Sequence, residues 1–275
     1  MEKIIFIFPK SRWKFEKTPY PPLGIGYLAT ILIEKGYEVS VIDGQILDRE
    51  EYEEKIQNIT DGIVGVSTTI KQVKEVLRIA ALIKKNKPEI PIILGGPGVV
   101  GFEMLSKNNL KNIDLIIKGE AEEKIIEIVN NIKEIKIKNN TPRIFTVKNT
   151  VDINKVPFPA RELFPLQKYL EIWKKNTGIT SVSIISSRGC PFECVFCDKN
   201  ISGYRFRARS PKSVVDEMEY LSVKYSPNDI FFYDDLFVFN RQRVITICEE
   251  IRNRKLEVSW SAQARVDKID KEMLK

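Results

Sequence analysis

The chain of 275 residues is long enough for two domains and a sizeable core. Its hydrophobic share of 43% and charged share of 29% are typical of soluble globular proteins. No apolar run approaches the roughly 18 residues of a membrane span, so we expect a cytoplasmic protein with no membrane partner. The net charge of +7 is spread along the chain rather than gathered into one block, which argues against a nucleic-acid partner.

The first half of the chain alternates apolar strands with helical segments. The predicted strands cover residues 3–8, 38–42, 62–66, 92–94 and 114–117, and the clearest helices cover 23–35 and 71–87. This alternation predicts a parallel sheet with helices on both faces. Five strands in this rhythm fit a flavodoxin-like order of 2-1-3-4-5, so we predict a Rossmann-type α/β domain over residues 1–130.

Small and polar residues follow the predicted strands. Open sheets of this kind bind ligands outside the carboxyl ends of their strands. The candidate contacts there are Asp43, Ser67, Thr68, Thr69, Gly95, Gly96, Pro97, Gly119 and Glu120. Any single glycine can serve a tight turn alone, but the whole set indicates a large ligand that approaches the backbone.

Two stretches match a dinucleotide-binding fingerprint in part. Residues 24–29 read G-x-G-x-x-A, but a long loop separates them from the first strand. Residues 96–101 do follow a strand, and Glu120 stands about where a ribose-binding acid is expected. That second match falls at the fourth strand rather than the first. A nicotinamide-dependent (NAD) oxidoreductase therefore stays open as an alternative.

The second half begins with a change of composition. Residues 131–180 are polar and basic at first and then rich in proline, which predicts a linker. From Ser181 the alternation of strand and helix resumes as three units. This pattern predicts part of a parallel βα barrel over residues 181–275.

Three of the four cysteines lie in one predicted loop. Cys190, Cys194 and Cys197 have the spacing C-x3-C-x2-C. Thiolates this close together can bind one soft metal centre, such as an iron–sulfur cluster, zinc or copper(I). A four-iron cluster held by three cysteines keeps one iron open to another ligand. A structural zinc site would need a fourth ligand, and the chain contains no histidine.

The cysteine loop resembles that of a known superfamily. The sequence RGCPFECVFC at residues 188–197 is similar to the cluster loop of radical S-adenosylmethionine enzymes, including the aromatic Phe196 before the third cysteine. The stretches at residues 21–28, 67–69, 95–96 and 118–122 together resemble the cobalamin-binding domain that precedes the radical domain in one branch of that superfamily. These likenesses run through nearly the whole chain. They imply a cobalamin-binding domain followed by an incomplete TIM-type radical S-adenosylmethionine barrel.

The resemblance implies three cofactors. The three clustered cysteines would hold a 4Fe-4S cluster, and S-adenosylmethionine would bind its open iron and yield a 5′-deoxyadenosyl radical. The loops at residues 67–69 and 95–97 would line the slot for the nucleotide tail of cobalamin. Pro22, Leu23 and Gly24 would lie near the corrin face, with no protein imidazole on cobalt. Methylation of an unactivated carbon is the leading reaction, with ring closure or rearrangement next.

Four further residues are candidates for binding S-adenosylmethionine. Asp234 and Asp235 end a predicted barrel strand, where they could hold the ligand's ammonium group or simply form a turn. Arg265 could pair with the ligand's carboxylate or lie on the surface. Phe196 could pack beside the adenine or fill the core.

The resemblance also implies partners, namely an electron donor and a small-molecule or peptide substrate. About half of the barrel units are absent, so a second chain could complete the barrel. A corrinoid-binding module without catalysis is a further alternative.

Overall fold

The computed structural model describes residues 2–11, 18–103, 105–132, 141–148, 150–199, 201–271 and 273–274. They divide into two units. The first comprises Met1–Glu16, Gly24–Val151 and Pro157–Pro165, and the second comprises Lys17–Leu23, Asp152–Val156 and Leu166–Lys275. Within the described ranges, none of the helices has the length and hydropathy that a membrane crossing requires.

A parallel sheet of six strands forms the centre of the first unit. The strands are β1 (Lys3–Phe8), β2 (Glu38–Asp43), β3 (Ile63–Ser67), β4 (Ile92–Gly95), β5 (Leu115–Lys118) and β6 (Arg143–Thr146). Their order is β2-β1-β3-β4-β5-β6, and every neighbouring pair is parallel. The predicted order of the first five strands is therefore confirmed.

Helices cover both faces of this sheet. They are α1 (Leu23–Glu34), α2 (Arg49–Gln57), α3 (Val73–Asn86), the short α4 (Val100–Glu103) and α5 (Ile125–Asn131). Two buried clusters result, and successive strand residues alternate between them, because side chains of a strand point to opposite faces. Representative members are Ile5, Ile7, Tyr52 and Ile79 in one cluster and Ile4, Phe6, Leu32 and Ile128 in the other. Burial on both faces explains why the strands read as continuous apolar runs.

The sixth strand differs from the prediction. Residues 143–146 lie inside the segment predicted as a linker, yet they pair with β5 along its whole length. Ile144 of β6 is 57% exposed, whereas Phe145 and Val147 pack against one of the two buried clusters. Two apolar contacts are too few to mark a strand within a polar, basic stretch. Backbone hydrogen bonds hold this edge strand, including one from Arg143 N to Asp114 O at 3.0 Å.

The rest of the predicted linker divides between the two units. In the first unit, the Thr30 hydroxyl donates to Phe158 O at 2.7 Å, and Ala160 N donates to Gly26 O at 3.1 Å. Both contacts place the proline-rich stretch against the start of α1. The segment from Asp152 to Val156 belongs to the second unit, as does the helix α6 (Leu166–Thr177).

The second unit contains a parallel sheet of three strands. They are β7 (Ser181–Ile184), β10 (Asp229–Phe232) and β11 (Ser259–Ala262) in the order β11-β10-β7, with a two-stranded ribbon of β8 (Ser187–Arg188) and β9 (Arg207–Ala208). The helices α7 (Pro211–Tyr225) and α8 (Arg241–Asn253) connect the parallel strands. These are successive strand–helix units of a parallel barrel, and the predicted fold class is confirmed.

One residue far from this sheet in sequence also belongs to the second unit. Tyr20 stacks on Phe231 of β10 with ring centroids 5.7 Å apart. Its hydroxyl lies 2.8 Å from the Ser181 hydroxyl at the start of β7. Trp173 of α6 packs against the same ring at 5.0 Å and donates its indole N–H to Pro19 O. The sheet is thus covered in part by the segment that precedes α1.

Gly98 lies where two loops of the first unit approach most closely. Its N–H donates to Thr68 O at 2.7 Å. A Cβ atom on Gly98 would lie 2.4 Å from the carbonyl carbon of Thr69 and 2.7 Å from its oxygen. By contrast, a Cβ atom on Gly24 would meet no atom within 4 Å.

We therefore expect Gly98→Ala to lower the free energy of unfolding by about 1–3 kcal/mol, because the overlap is with backbone that cannot rotate away. Gly24→Ala is the matched control and should leave that free energy unchanged or raise it by up to about 1 kcal/mol. Urea unfolding followed by circular dichroism measures both. Equal unfolding midpoints for the two variants would contradict the close approach.

Candidate cofactor-binding sites

The loops after β3 and β4 meet at the carboxyl edge of the first sheet. Thr68 N donates to Gly95 O at 3.1 Å, and Thr68 is fully buried. Gly96 has a φ of +86°, and a Cβ atom there would lie 2.7 Å from the Ser67 hydroxyl. Pro97 begins the turn that follows. The predicted slot residues of both loops are thus brought together on one edge.

Gly95 offers open space at this edge. A Cβ atom on Gly95 would meet no atom within 4 Å, although its neighbours are tightly packed. A ligand can therefore approach the backbone of Gly95 without displacing a side chain. This is the feature that a large ligand at the carboxyl edge of the strands requires.

Gln72 also organises this edge, and the sequence analysis did not single it out. Its side-chain oxygen accepts hydrogen bonds from Thr69 N at 2.8 Å and from the Thr69 hydroxyl at 3.1 Å. Its amide nitrogen donates to Pro9 O in the loop after β1. The available signal was the T-x-x-Q spacing of a capping box. Gln72 thereby links the loops after β1 and β3.

Three other predicted contacts serve the fold instead. The buried carboxylate of Asp43 accepts from Gln45 N at 3.0 Å and shapes the turn after β2. The buried carboxylate of Glu120 accepts from Val151 N at 3.0 Å. Gly119 has a φ of +93°, which favours glycine at that position. Each carboxylate thus has a partner within the protein, and the contacts of Asp43 and Glu120 with a ligand stay predictions.

The residues predicted near the corrin face divide between the units. Gly24 is exposed in the first unit, at the start of α1. Pro22 is half-buried and Leu23 is buried, and both belong to the second unit. The preceding residues 12–17 lie outside the described ranges.

The cysteine loop follows β8 in the second unit. Cys190 is buried, Cys194 is half-buried and Cys197 is exposed, and all three are free thiols. In the described residues, no three Cys, Asp, Glu or His side chains surround one metal position. Phe196 beside Cys197 is 89% exposed. Its alternative role as core filling is therefore wrong, and a contact with adenine stays a prediction.

Each of the three thiols has a positively charged neighbour. Burial acts to lower the pKa of Lys199, but the nearby Cys197 and Cys190 raise it, so that the net shift is upward. Arg265 Nη1 lies 3.6 Å from Cys194 Sγ. Positive charge beside a thiol favours the thiolate, which is the form that ligates metals. The chemistry of this donor set fits an anionic cluster with thiolate ligands.

Asp234 fixes the chain that leads into the cysteine loop. This buried carboxylate accepts three hydrogen bonds at 2.6 Å, from Ser186 N and from the hydroxyls of Ser186 and Ser187. Burial raises the pKa of Asp234, and the bonds from both serines act in the opposite direction. The carboxylate of Asp234 is thus buried and bonded to the protein, and its predicted role in holding a ligand's ammonium group stays a prediction.

Asp235 makes a second anchor for the same segment. Its carboxylate accepts from Gly189 N at 2.8 Å, directly before Cys190. Gly189 has a φ of +80°, and a Cβ atom there would lie 2.2 Å from Arg205 O. The two adjacent aspartates are therefore neither ordinary turn formers nor shown as ligand contacts. They attach the cysteine loop to the end of β10.

Buried arginines complete this network. Arg243 Nη2 donates to Ser186 O at 2.9 Å, and its Nε donates to Arg209 O at 3.2 Å. Arg209 in turn donates to Ile185 O at 3.0 Å and pairs with the buried Glu217. Burial lowers the pKa of Arg243 to about 10, and Asp234 acts to raise it. In the sequence, Glu217 stands out as a charged residue on the otherwise apolar face of α7, which could have indicated a buried ion pair.

Arg265 contacts the cysteine loop rather than free solvent alone. Its guanidinium carbon lies 3.9 Å from the centroid of the Phe192 ring. Nε and Nη2 donate to the two carboxylate oxygens of Asp267 at 2.9 and 3.1 Å. Arg265 is therefore not an isolated surface arginine. Its pairing with a ligand's carboxylate stays a prediction.

Comparisons with known proteins agree with both sites. The family model described as B12 binding domain matches residues 17–129. An uncharacterised methyltransferase of Pyrococcus horikoshii is 28% identical over 99% of this chain and 62% of its own length. An anaerobic magnesium-protoporphyrin IX monomethyl ester cyclase of Rubrivivax gelatinosus is 27% identical over 91% of this chain and 48% of its own length. The chain thus spans between about half and three-fifths of these relatives.

A solved structure has the same fold. The radical S-adenosylmethionine methyltransferase TsrM from Kitasatospora setae aligns with a TM-score of 0.67 at 20% identity, over 94% of this chain and 52% of that one. The alignment therefore includes the sheets of both units. With the B12-binding match and the cysteine spacing, it confirms the resemblance seen in the sequence. Residues 17–129 therefore match the B12 binding domain, and the chain as a whole is similar in sequence and fold to cobalamin-binding radical S-adenosylmethionine proteins.

Proposed function

We propose that this chain forms the cobalamin-binding and cluster-binding part of a radical S-adenosylmethionine methyltransferase. The observation that carries the proposal is the cysteine loop itself. Its three free thiols each have a cationic neighbour. The segment that leads into the loop is held at the end of β10 by hydrogen bonds to Asp234 and Asp235. The carboxyl ends of barrel strands are where enzymes of this architecture carry their active sites.

In this proposal Cys190, Cys194 and Cys197 hold a 4Fe-4S cluster. A cluster held by these thiols with one open iron would, once reduced by an external donor, supply the electron for reductive cleavage of S-adenosylmethionine to methionine and a 5′-deoxyadenosyl radical. Lys199 and Arg265 would offset the negative charge of the thiolate ligands. Asp234 and Asp235 would keep the base of the loop in place. Phe196, exposed beside the last cysteine, is free to pack against the adenine.

Cobalamin would bind at the carboxyl edge of the first sheet. The loops at residues 67–69 and 95–97 would line its nucleotide tail, which the open space beside Gly95 and the B12-binding family match support. One TsrM structure has cobalamin and a 4Fe-4S cluster bound, and another has the tryptophan substrate and an S-adenosylmethionine analogue bound. Cobalt would lack a protein imidazole, since the chain contains no histidine.

Methylation of an unactivated carbon is the reaction we propose first. Relatives named as methyltransferases include that of Pyrococcus horikoshii and a hopanoid C-2 methylase of Rhodopseudomonas palustris. Ring closure is the second candidate, because other relatives are named as cyclases. The substrate is a small molecule or peptide, and an electron donor is required.

The first test concerns iron. We expect Cys197→Ser to lose iron and S-adenosylmethionine cleavage after anaerobic reconstitution, without loss of folding, because Cys197 is exposed. Cys248→Ser in α8 is the matched control and should keep both. Iron analysis, an absorbance spectrum and an assay for 5′-deoxyadenosine give the readouts.

Unchanged iron content in Cys197→Ser would contradict the proposed ligand set. A wild-type chain that binds cobalamin but cleaves no S-adenosylmethionine in any reconstituted preparation would select the non-catalytic corrinoid module instead. Tight NADH binding without cobalamin binding would select the oxidoreductase.

The second test concerns cobalamin. Gly95→Val places a side chain in the open space at the sheet edge. Because valine is a good strand former, folding should be unaffected. We expect cobalamin affinity to fall at least about tenfold, or about 1.4 kcal/mol. Thr60→Val, exposed before the amino end of β3, is the control. Equal affinities of the two variants, measured by absorbance titration, would remove the slot from this edge.

A further inference from the structure

Arg265 is oriented by two groups besides the thiol that it contacts. The bidentate pair with Asp267 fixes the direction of the guanidinium within its plane. The stack on Phe192 fixes the plane itself, at 3.9 Å from the ring centroid. With both constraints in place, Nη1 is directed at Cys194 Sγ, 3.6 Å away.

This geometry separates two possible roles of the guanidinium. Arginine binds a carboxylate best through two parallel N–H bonds, and its Nε–Nη2 edge already makes such a pair with Asp267. The group left over is Nη1, which faces a sulfur atom of the proposed ligand set. The contacts of Arg265 therefore suit a hydrogen bond to a thiolate better than a clamp on a second carboxylate.

We infer that Arg265 donates a hydrogen bond to the sulfur of Cys194 when that sulfur ligates the cluster, and that this bond raises the reduction potential of the cluster. Hydrogen bonds to the sulfur ligands and local charge are among the factors that set such potentials. A donor and a positive charge stabilise the reduced form more than the oxidised form, because the reduced form is more negative. The inference rests on the proposed function, since it requires a bound cluster.

Lys268 provides a matched control beside the same ring. Its Nζ atom lies 5.4 Å from the centroid of Phe192, and the described contacts include none between Lys268 and a thiol. Lys268→Met and Arg265→Met thus each remove one positive charge close to the loop. They differ in whether a hydrogen bond to sulfur is removed as well.

The experiment compares both variants with the wild-type chain after anaerobic reconstitution. Redox titration followed by electron paramagnetic resonance gives the midpoint potential of the cluster. In Arg265→Met we expect the ratio of reduced to oxidised cluster, at the wild-type midpoint, to fall about tenfold, a shift of about 59 mV to more negative potential. Lys268→Met should shift it much less. Arg265→Lys should give an intermediate shift, because it keeps the positive charge but cannot make the bidentate pair with Asp267 that directs Nη1.

Equal shifts in Arg265→Met and Lys268→Met would overturn the inference in favour of a general charge effect. An unshifted potential with weaker S-adenosylmethionine binding in Arg265→Met would assign the arginine to the ligand's carboxylate instead. If Arg265→Met fails to retain iron, Arg265→Lys decides, and an unshifted potential there overturns the inference. A wild-type chain that takes up no iron would overturn the proposed function itself.

Discussion

The three hydrogen bonds to the Asp234 carboxylate are the interaction on which the cysteine loop depends. They hold Ser186 and Ser187 against the end of β10, and Asp235 adds the bond to Gly189. Removing one partner of a buried charge typically costs about 3–5 kcal/mol, because the remaining charge stays uncompensated. The network contains two buried carboxylates, of Asp234 and Glu217, and two buried guanidiniums, of Arg209 and Arg243. Its charges therefore nearly cancel.

This network gives the loop a graded environment. Cys190, next to the anchored Gly189, is buried, while Cys197 at the far end is exposed together with Phe196. The base of the loop is therefore set by protein contacts, and the far end stays open to solvent. Such an arrangement suits a centre that must be held firmly on one side and admit a small ligand on the other.

The sequence predicted the features that depend on local pattern. Apolar runs identified the first five strands and their order, and cysteine spacing identified the loop. The pattern did not reveal β6, because only Phe145 and Val147 pack on the core and the short strand Arg143–Thr146 lies in a polar, basic stretch. Nor did it reveal the role of Asp234, whose serine partners lie 47 and 48 residues earlier in the chain. The bond from Val151 N to Glu120 was out of reach of the sequence pattern for the same reason, since the two residues are 31 positions apart.

The way the chain alternates between its units has a practical consequence for dissecting the protein. Each unit is assembled from three separate stretches, so no single cut yields two complete pieces. A fragment that stops at residue 151 would lack Phe158 and Ala160, which bond to α1. A fragment that starts at residue 166 would lack Tyr20, whose ring packs on β10. Cofactor binding is therefore best assigned with point substitutions in the intact polypeptide rather than with isolated halves.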